Sequence, residues 1–127
     1  MAQMYPDRPL KGIRSNAERK VFYALKDLLP ENYTVFHSVP IYRESETRGG
    51  LLDGEADFII ACPDKGLLVI EVKGGGISFN GNTGKWMTVD ANNDLHEIKD
   101  PFEQAKSYKY ALLNDLRRCL LTKVHSY

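Results

Sequence analysis

Hydrophobic and polar positions along this 127-residue chain follow two different periods. Ala17, Val21, Ala24, Leu25, Leu28 and Leu29 recur at helical spacing, so residues 16–29 read as an amphipathic helix with one buried stripe. Ser15 ahead of it and Glu18 three residues on have the form of a capping box, and Pro30 ends the helix. Tyr33 to Val39 reads as a strand closed by Pro40. Two short apolar runs, Phe58–Ala61 and Leu67–Ile70, flank Cys62-Pro63-Asp64-Lys65-Gly66. Their Ile, Val and Phe content and their Pro and Gly boundaries predict a largely buried hairpin. Ile77–Phe79, Lys85–Val89 and Leu95–Ile98 are strands separated by Asn-, Gly- and Asp-rich turns, a small antiparallel meander. Asp100-Pro101-Phe102-Glu103 then opens a second helix with an N-cap, a proline at the first helical position and a capping acid. This helix runs to about residue 120, with Phe102, Ala105, Leu112, Leu116 and Leu120 towards the core.

Between these elements, residues 1–14 are polar and Pro-punctuated and read as a flexible N-terminal arm. Arg43 to Asp53, with Gly49-Gly50, reads as a mobile loop. The domain proper is expected over residues 15–120, with 121–127 a tail or the start of a following segment. The order helix, strands, helix predicts an α/β or α+β layer arrangement around one sheet.

Composition narrows the function. An apolar fraction of 43% supports an ordinary core. No apolar run reaches the length of a membrane span, and the first residues lack a signal-like stretch. Cys62 and Cys119 have no metal-ligand spacing, so a reduced, cytoplasmic setting is expected. Seventeen basic residues balance seventeen acidic ones, which argues against a strongly basic nucleic-acid coat and leaves room for a local patch.

The chemistry concentrates at the open end of the hairpin. A turn centred near Asp64 puts Asp57 opposite Glu71, and period-two alternation puts Lys73 on the same face, with Val72 turned away. Two facing carboxylates form a hard-oxygen site of the kind Mg²⁺ prefers, and the Val72 carbonyl can add a further ligand. A metal there lowers the pKa of bound water or polarises a phosphoryl oxygen. An ammonium beside it orients the attacking water or offsets transition-state charge. The plainer reading is a surface ion pair worth under about 1 kcal/mol, because Glu-x-Lys is common on strand faces. A charge cluster beside nearly continuous apolar strands is costly unless something uses it.

These residues resemble a known family. Asp57 followed by Glu71-Val72-Lys73 on the next strand resembles the Asp…(Asp/Glu)-x-Lys signature of the PD-(D/E)xK, restriction-endonuclease-like superfamily. The chain is more specifically similar to a nuclease-related domain (NERD), over roughly Ser15 to Leu113. The likeness rests on Asn16-Ala17-Glu18-Arg19-Lys20-Val21, Gly54-Glu55-Ala56-Asp57-Phe58-Ile59, Glu71-Val72-Lys73-Gly74-Gly75, Gly84-Lys85-Trp86 and Asp100-Pro101-Phe102-Glu103-Gln104-Ala105. Ala56 stands where the superfamily's name has proline, a common substitution there.

The resemblance implies a central mixed sheet flanked by helices and Mg²⁺-dependent cleavage of DNA, with Mn²⁺ as a substitute and RNA left open as substrate. It implies Asp57 and Glu71 as metal ligands, Lys73 as the catalytic lysine, and Glu18 as an acid facing the metal from the first helix. Gln104 matches a glutamine on the helix after the sheet. With Tyr108 it resembles the Gln-x-x-x-Tyr element of a helicase-linked branch, which holds the site and the DNA backbone. Fusion or association with a helicase-like module is a further implication.

Each supporting residue also has a plain structural reading. Glu18 is explained by the capping box, yet its spacing to Phe22 and Leu25 lets it face the sheet. Glu55 reads as a solvated strand-entry acid and Trp86 as a packing residue. His37, His96 and His125 lack cluster spacing. Lys106, Lys109, Arg117, Arg118 and Lys123 read either as a basic stripe for phosphates or, the preferred reading, as an ordinary solvated helix face. The alternative to an active nuclease is a catalytically weak or inactive nucleic-acid-binding or recruitment module on the same fold. A purely structural domain leaves the charge cluster unexplained.

Overall fold

The computed structural model describes residues 1–9, 16–43 and 51–125, and side chains within these except at 43, 51–53 and 121–125. The elements are β1 (Gln3–Tyr5), α1 (Asn16–Leu28), β2 (Thr34–Arg43), β3 (Leu51–Cys62), β4 (Gly66–Ile70), β5 (Gly76–Asn80), β6 (Lys85–Val89), β7 (Leu95–Ile98) and α2 (Pro101–His125). They form an α/β fold with a mixed four-stranded sheet, β1-β2-β3-β4, and a separate antiparallel sheet, β5-β6-β7. β1 runs parallel to β2, and β2, β3 and β4 pair antiparallel.

Side-chain alternation along β3 explains how the two helices are placed. Phe58 and Ile60 join Val35, Met4 and Phe22 in a core under α1. Ile59, between them, joins Ile41 and Tyr108 in a core under α2. Neighbouring residues of a strand point to opposite faces, so the helices cover opposite sides of the main sheet. β3 is consequently buried on both faces from Phe58 to Ile60.

Several expectations need correction. Residues 2–5 are not a loose arm: Met4 is 6% exposed, Gln3–Tyr5 pairs with Thr34–Phe36, and the Ala2 amide donates to the Lys26 carbonyl. β2 continues through Pro40 to Arg43, because β1 pairs only with its first residues and the missing proline N–H is not needed there. The Arg43–Asp53 loop is shorter than expected, since both its ends are strand. Its centre, residues 44–50, lies outside the described residues, as does the Ser15 cap.

The helices bury stripes that match the expected ones only in part, at Val21, Leu25, Leu29 and Leu112. In α1 the fully buried residue is Phe22, flanked by Val21, Leu25 and Leu29, while Leu28 is 80% exposed. In α2 the packed residues are Tyr108, Ala111 and Leu112, and Phe102, Leu116 and Leu120 are exposed. The hairpin is buried through β3 only; β4 is an edge strand with Leu67 and Leu68 exposed. Other expectations hold. Asp100 caps α2, its Oδ1 accepting from the Phe102 amide at 2.9 Å. The meander has the expected order, with Phe79, Trp86 and Ile98 in line across it. Trp86 packs between Phe79 and Phe102 at ring-centroid distances of 5.0 and 5.7 Å.

His37 is buried, and its Nε2–H donates to the Pro6 carbonyl at 3.2 Å, with Phe22 edge-on to its ring. It fastens the N-terminal segment to β2. No helix among the described residues is long and apolar enough to cross a membrane.

The N-terminal strand makes a measurable contribution to this core. Met4→Ala is expected to lower unfolding free energy by about 2–5 kcal/mol in urea denaturation, the usual cost of emptying a buried Met site. A loose arm would show almost no change.

Candidate active site

The last paired residues of the β3–β4 ladder at its open end are Phe58 and Ile70. One residue further out, the same register sets Asp57 against Glu71, and side chains take over the bonding. Asp57 Oδ2 accepts from the Val72 amide at 2.7 Å, and Glu71 Oε1 accepts from the Asp57 amide at 3.3 Å. Each carboxylate thus replaces a backbone partner that the ladder would have supplied. On the other side of Asp57, Ser38 of β2 takes a left-handed conformation (φ 53°) and interrupts the pairing between His37/Phe58 and Val39/Ala56. Asp57 therefore sits where both neighbouring ladders open.

The electrostatics record the resulting crowding. Burial, then the charge of Asp57, pushes the Glu71 carboxyl up to about 7 from 4.5, against an opposing pull from Lys73. The Glu18 carboxyl is also raised, by burial first and then by Asp57 and Glu55, with Lys73 again opposing. Glu18 and Lys73 line one open cleft of about 540 Å³ together with Asn16, Lys20 and the Gly74-Gly75 turn. The first helix thus delivers Glu18 to the electrostatic neighbourhood of Asp57. Glu55 is exposed, as expected of a strand-entry acid.

α2 is fixed to this region by Tyr108. Gln104 Nε2 donates to the Tyr108 hydroxyl at 3.1 Å, the expected i,i+4 pair. Tyr108 is 5% exposed and lies over Gly54, where a Cβ would collide with its hydroxyl. Gly54 (φ 152°) adjoins a register shift in β3, three residues before Asp57. The bulge and the glycine together let α2 approach the strand that carries the acid. Tyr108 is buried, whereas Gln104, which it holds, is partly exposed.

Asp57, Glu71, Lys73 and Glu18 are thus gathered at one end of the sheet, and Gln104 is held by Tyr108 above β3. The basic side chains of α2, Lys106, Lys109, Arg117 and Arg118, are exposed, and Lys109 lies 4.3 Å over the Tyr110 ring. Sequence reasoning missed Lys20 and Asn16 as lining residues. Their only signal was four-residue spacing on the helix that also carries Glu18.

The donor set suits a divalent cation. Two carboxylate groups converge, and a cation would offset both the burial of the Glu71 charge, the larger cause of its shift, and the repulsion from Asp57. Among the described residues no group of three or more His, Cys, Asp or Glu side chains is placed to hold a metal. A metal here would rest on Asp57, Glu71, the Val72 carbonyl and water, a sparse shell of the kind Mg²⁺ accepts.

The raised carboxyl gives a pH signature. Folding favours protonated Glu71, so its contribution to stability is full below pH 4.5 and is lost as pH rises through about 7. In metal-free buffer the melting temperature of the wild type should fall relative to Glu71→Gln between pH 5 and pH 8. Parallel curves for the two proteins would contradict the crowded pair.

A family model described as nuclease-related domain, NERD, matches residues 13–127. Comparison with curated proteins and with solved structures gives no match. The matched span contains Glu18, Asp57, Glu71, Lys73 and Gln104 and extends through α2. The chain belongs to the nuclease-related domain family.

Proposed function

We propose that this domain is a Mg²⁺-dependent nuclease of the PD-(D/E)xK type, with Mn²⁺ as a substitute, that hydrolyses phosphodiester bonds of DNA. The observation that supports it most is the facing of Asp57 and Glu71 at the end of the β3–β4 ladder, with Lys73 two residues on. When bound, the metal would supply Lewis-acid polarisation of a phosphoryl oxygen and an acidified water. Asp57 and Glu71 hold that position, and the Val72 and Asp57 amides orient one oxygen of each carboxylate. The exposed ammonium of Lys73 is free to swing within the cleft, orient the attacking water and offset charge developing on the phosphorus-bound oxygens. Glu18 adds an acid at the cleft wall, and Gln104 offers its carboxamide to the DNA backbone while Tyr108 keeps it in place.

The second reading is a weak or inactive nucleic-acid-binding module. Zero net charge and the two-carboxylate donor set favour it. One assay separates the two. Wild type should cleave DNA in Mg²⁺ or Mn²⁺ and not in EDTA. Lys73→Ala should lose at least about 100-fold in rate, a typical contribution of a positioned proton-handling or charge-stabilising group. Its circular dichroism and melting should stay unchanged, because Lys73 is exposed. Undiminished cleavage by Lys73→Ala sinks the site assignment. Salt-dependent DNA binding without turnover by wild type selects the second reading.

A further inference from the structure

Lys20 and Lys73 come from different elements, α1 and the segment after β4, and line the same cleft. Among the described residues neither ammonium has a hydrogen-bond or ion-pair partner. With Glu18 as the remaining charged group of the lining, the cleft carries one excess positive charge. Asn16 stands one helical turn before Lys20 and presents a carboxamide to the same space. The opposite wall is Gly74-Gly75, which has no side chains. Gly75 needs its glycine, since φ is +82° there. Two lysines, an asparagine and bare backbone, with Glu18 and the small apolar Ala17 and Val72 between them, surround about 540 Å³, and the excess cation suits a phosphate with its sugar against the apolar part of the wall.

We propose that Lys20 is a positioning residue that grips a backbone phosphate of the nucleic acid beside the one addressed by Lys73. The path of the strand then runs between α1 and the Gly74-Gly75 turn. This rests on the nucleic-acid substrate of the reading above, and it assigns Lys20 no contact with the reacting atoms. In a protein of zero net charge, such paired lysines concentrate what positive potential there is where the substrate must lie.

The test is binding of a fluorescently labelled DNA duplex in EDTA, followed by anisotropy over a range of NaCl concentrations. Wild type, Lys20→Ala, Lys20→Arg and Lys65→Ala are compared, Lys65 being an exposed lysine in the β3–β4 turn at the far end of the hairpin. Lys20→Ala should weaken binding roughly threefold to tenfold and lower the slope of log K against log salt by about 0.9, the loss of one phosphate contact. Lys20→Arg should restore both, and Lys65→Ala should match wild type. In cleavage assays Lys20→Ala should raise the DNA concentration that gives half-maximal rate by the same factor, roughly threefold to tenfold, and Lys20→Arg should restore it. Equal affinity and slope for Lys20→Ala and Lys65→Ala overturn the proposal, as does a wild type that binds no DNA. A Lys20-dependent slope in a protein that never cleaves supports the Lys20 contact and defeats the catalytic reading alone.

Discussion

Two carboxylates are held face to face at the end of a β-ladder by hydrogen bonds to the opposite backbone. The Val72 amide holds Asp57 and the Asp57 amide holds Glu71. A short amide bond to a carboxylate, as from Val72 to Asp57 at 2.7 Å, is worth about 1.5–3 kcal/mol, and the 3.3 Å bond to Glu71 is the weaker of the two. The opposing cost shows in Glu71, whose carboxyl is lifted to about 7 by burial first and by the charge of Asp57 second. The strand ends are thus neatly closed in structure and poorly balanced in charge. That imbalance is what a cation, or a protonation, resolves.

The rest of the fold serves this junction from both faces of the sheet. On one side Phe22 seats α1 on Val35 and Phe58 and so brings Glu18 into the field of Asp57 and Lys20 into the cleft that Lys73 lines. On the other side Tyr108 seats α2 over Gly54 and brings Gln104. Irregular backbone also lies near Asp57, with the left-handed Ser38 across from it on β2 and the shifted register near Gly54 earlier on β3. Bulges and unusual dihedrals of this kind re-aim side chains, and they cluster where a site must be built.

What the sequence revealed in advance was what local chemistry determines. The hairpin register followed from a Pro- and Gly-bearing turn and strict alternation, and it placed Asp57 against Glu71 correctly. The α2 cap followed from Asp100-Pro101, and the meander from its Asn-Gly turns. Features that depend on distant partners were not legible. Gln3–Tyr5 is a strand only because Thr34–Phe36 has a free edge to receive it. The buried face of α2 could not be read from its leucines, because the helix overruns the sheet and Leu116 and Leu120 have nothing beneath them. Lys20 stood in the sequence only as part of the first-helix motif, and its place in the cleft with Gly74-Gly75 depends on the fold.

The central claim is that the Asp57–Glu71 pair is a divalent-cation site. The most direct measurement is anomalous diffraction from crystals soaked in Mn²⁺. The account predicts a peak between the Asp57 and Glu71 carboxylates, within ligand distance of both. Well-ordered carboxylates with no anomalous density between them at millimolar Mn²⁺ would contradict it.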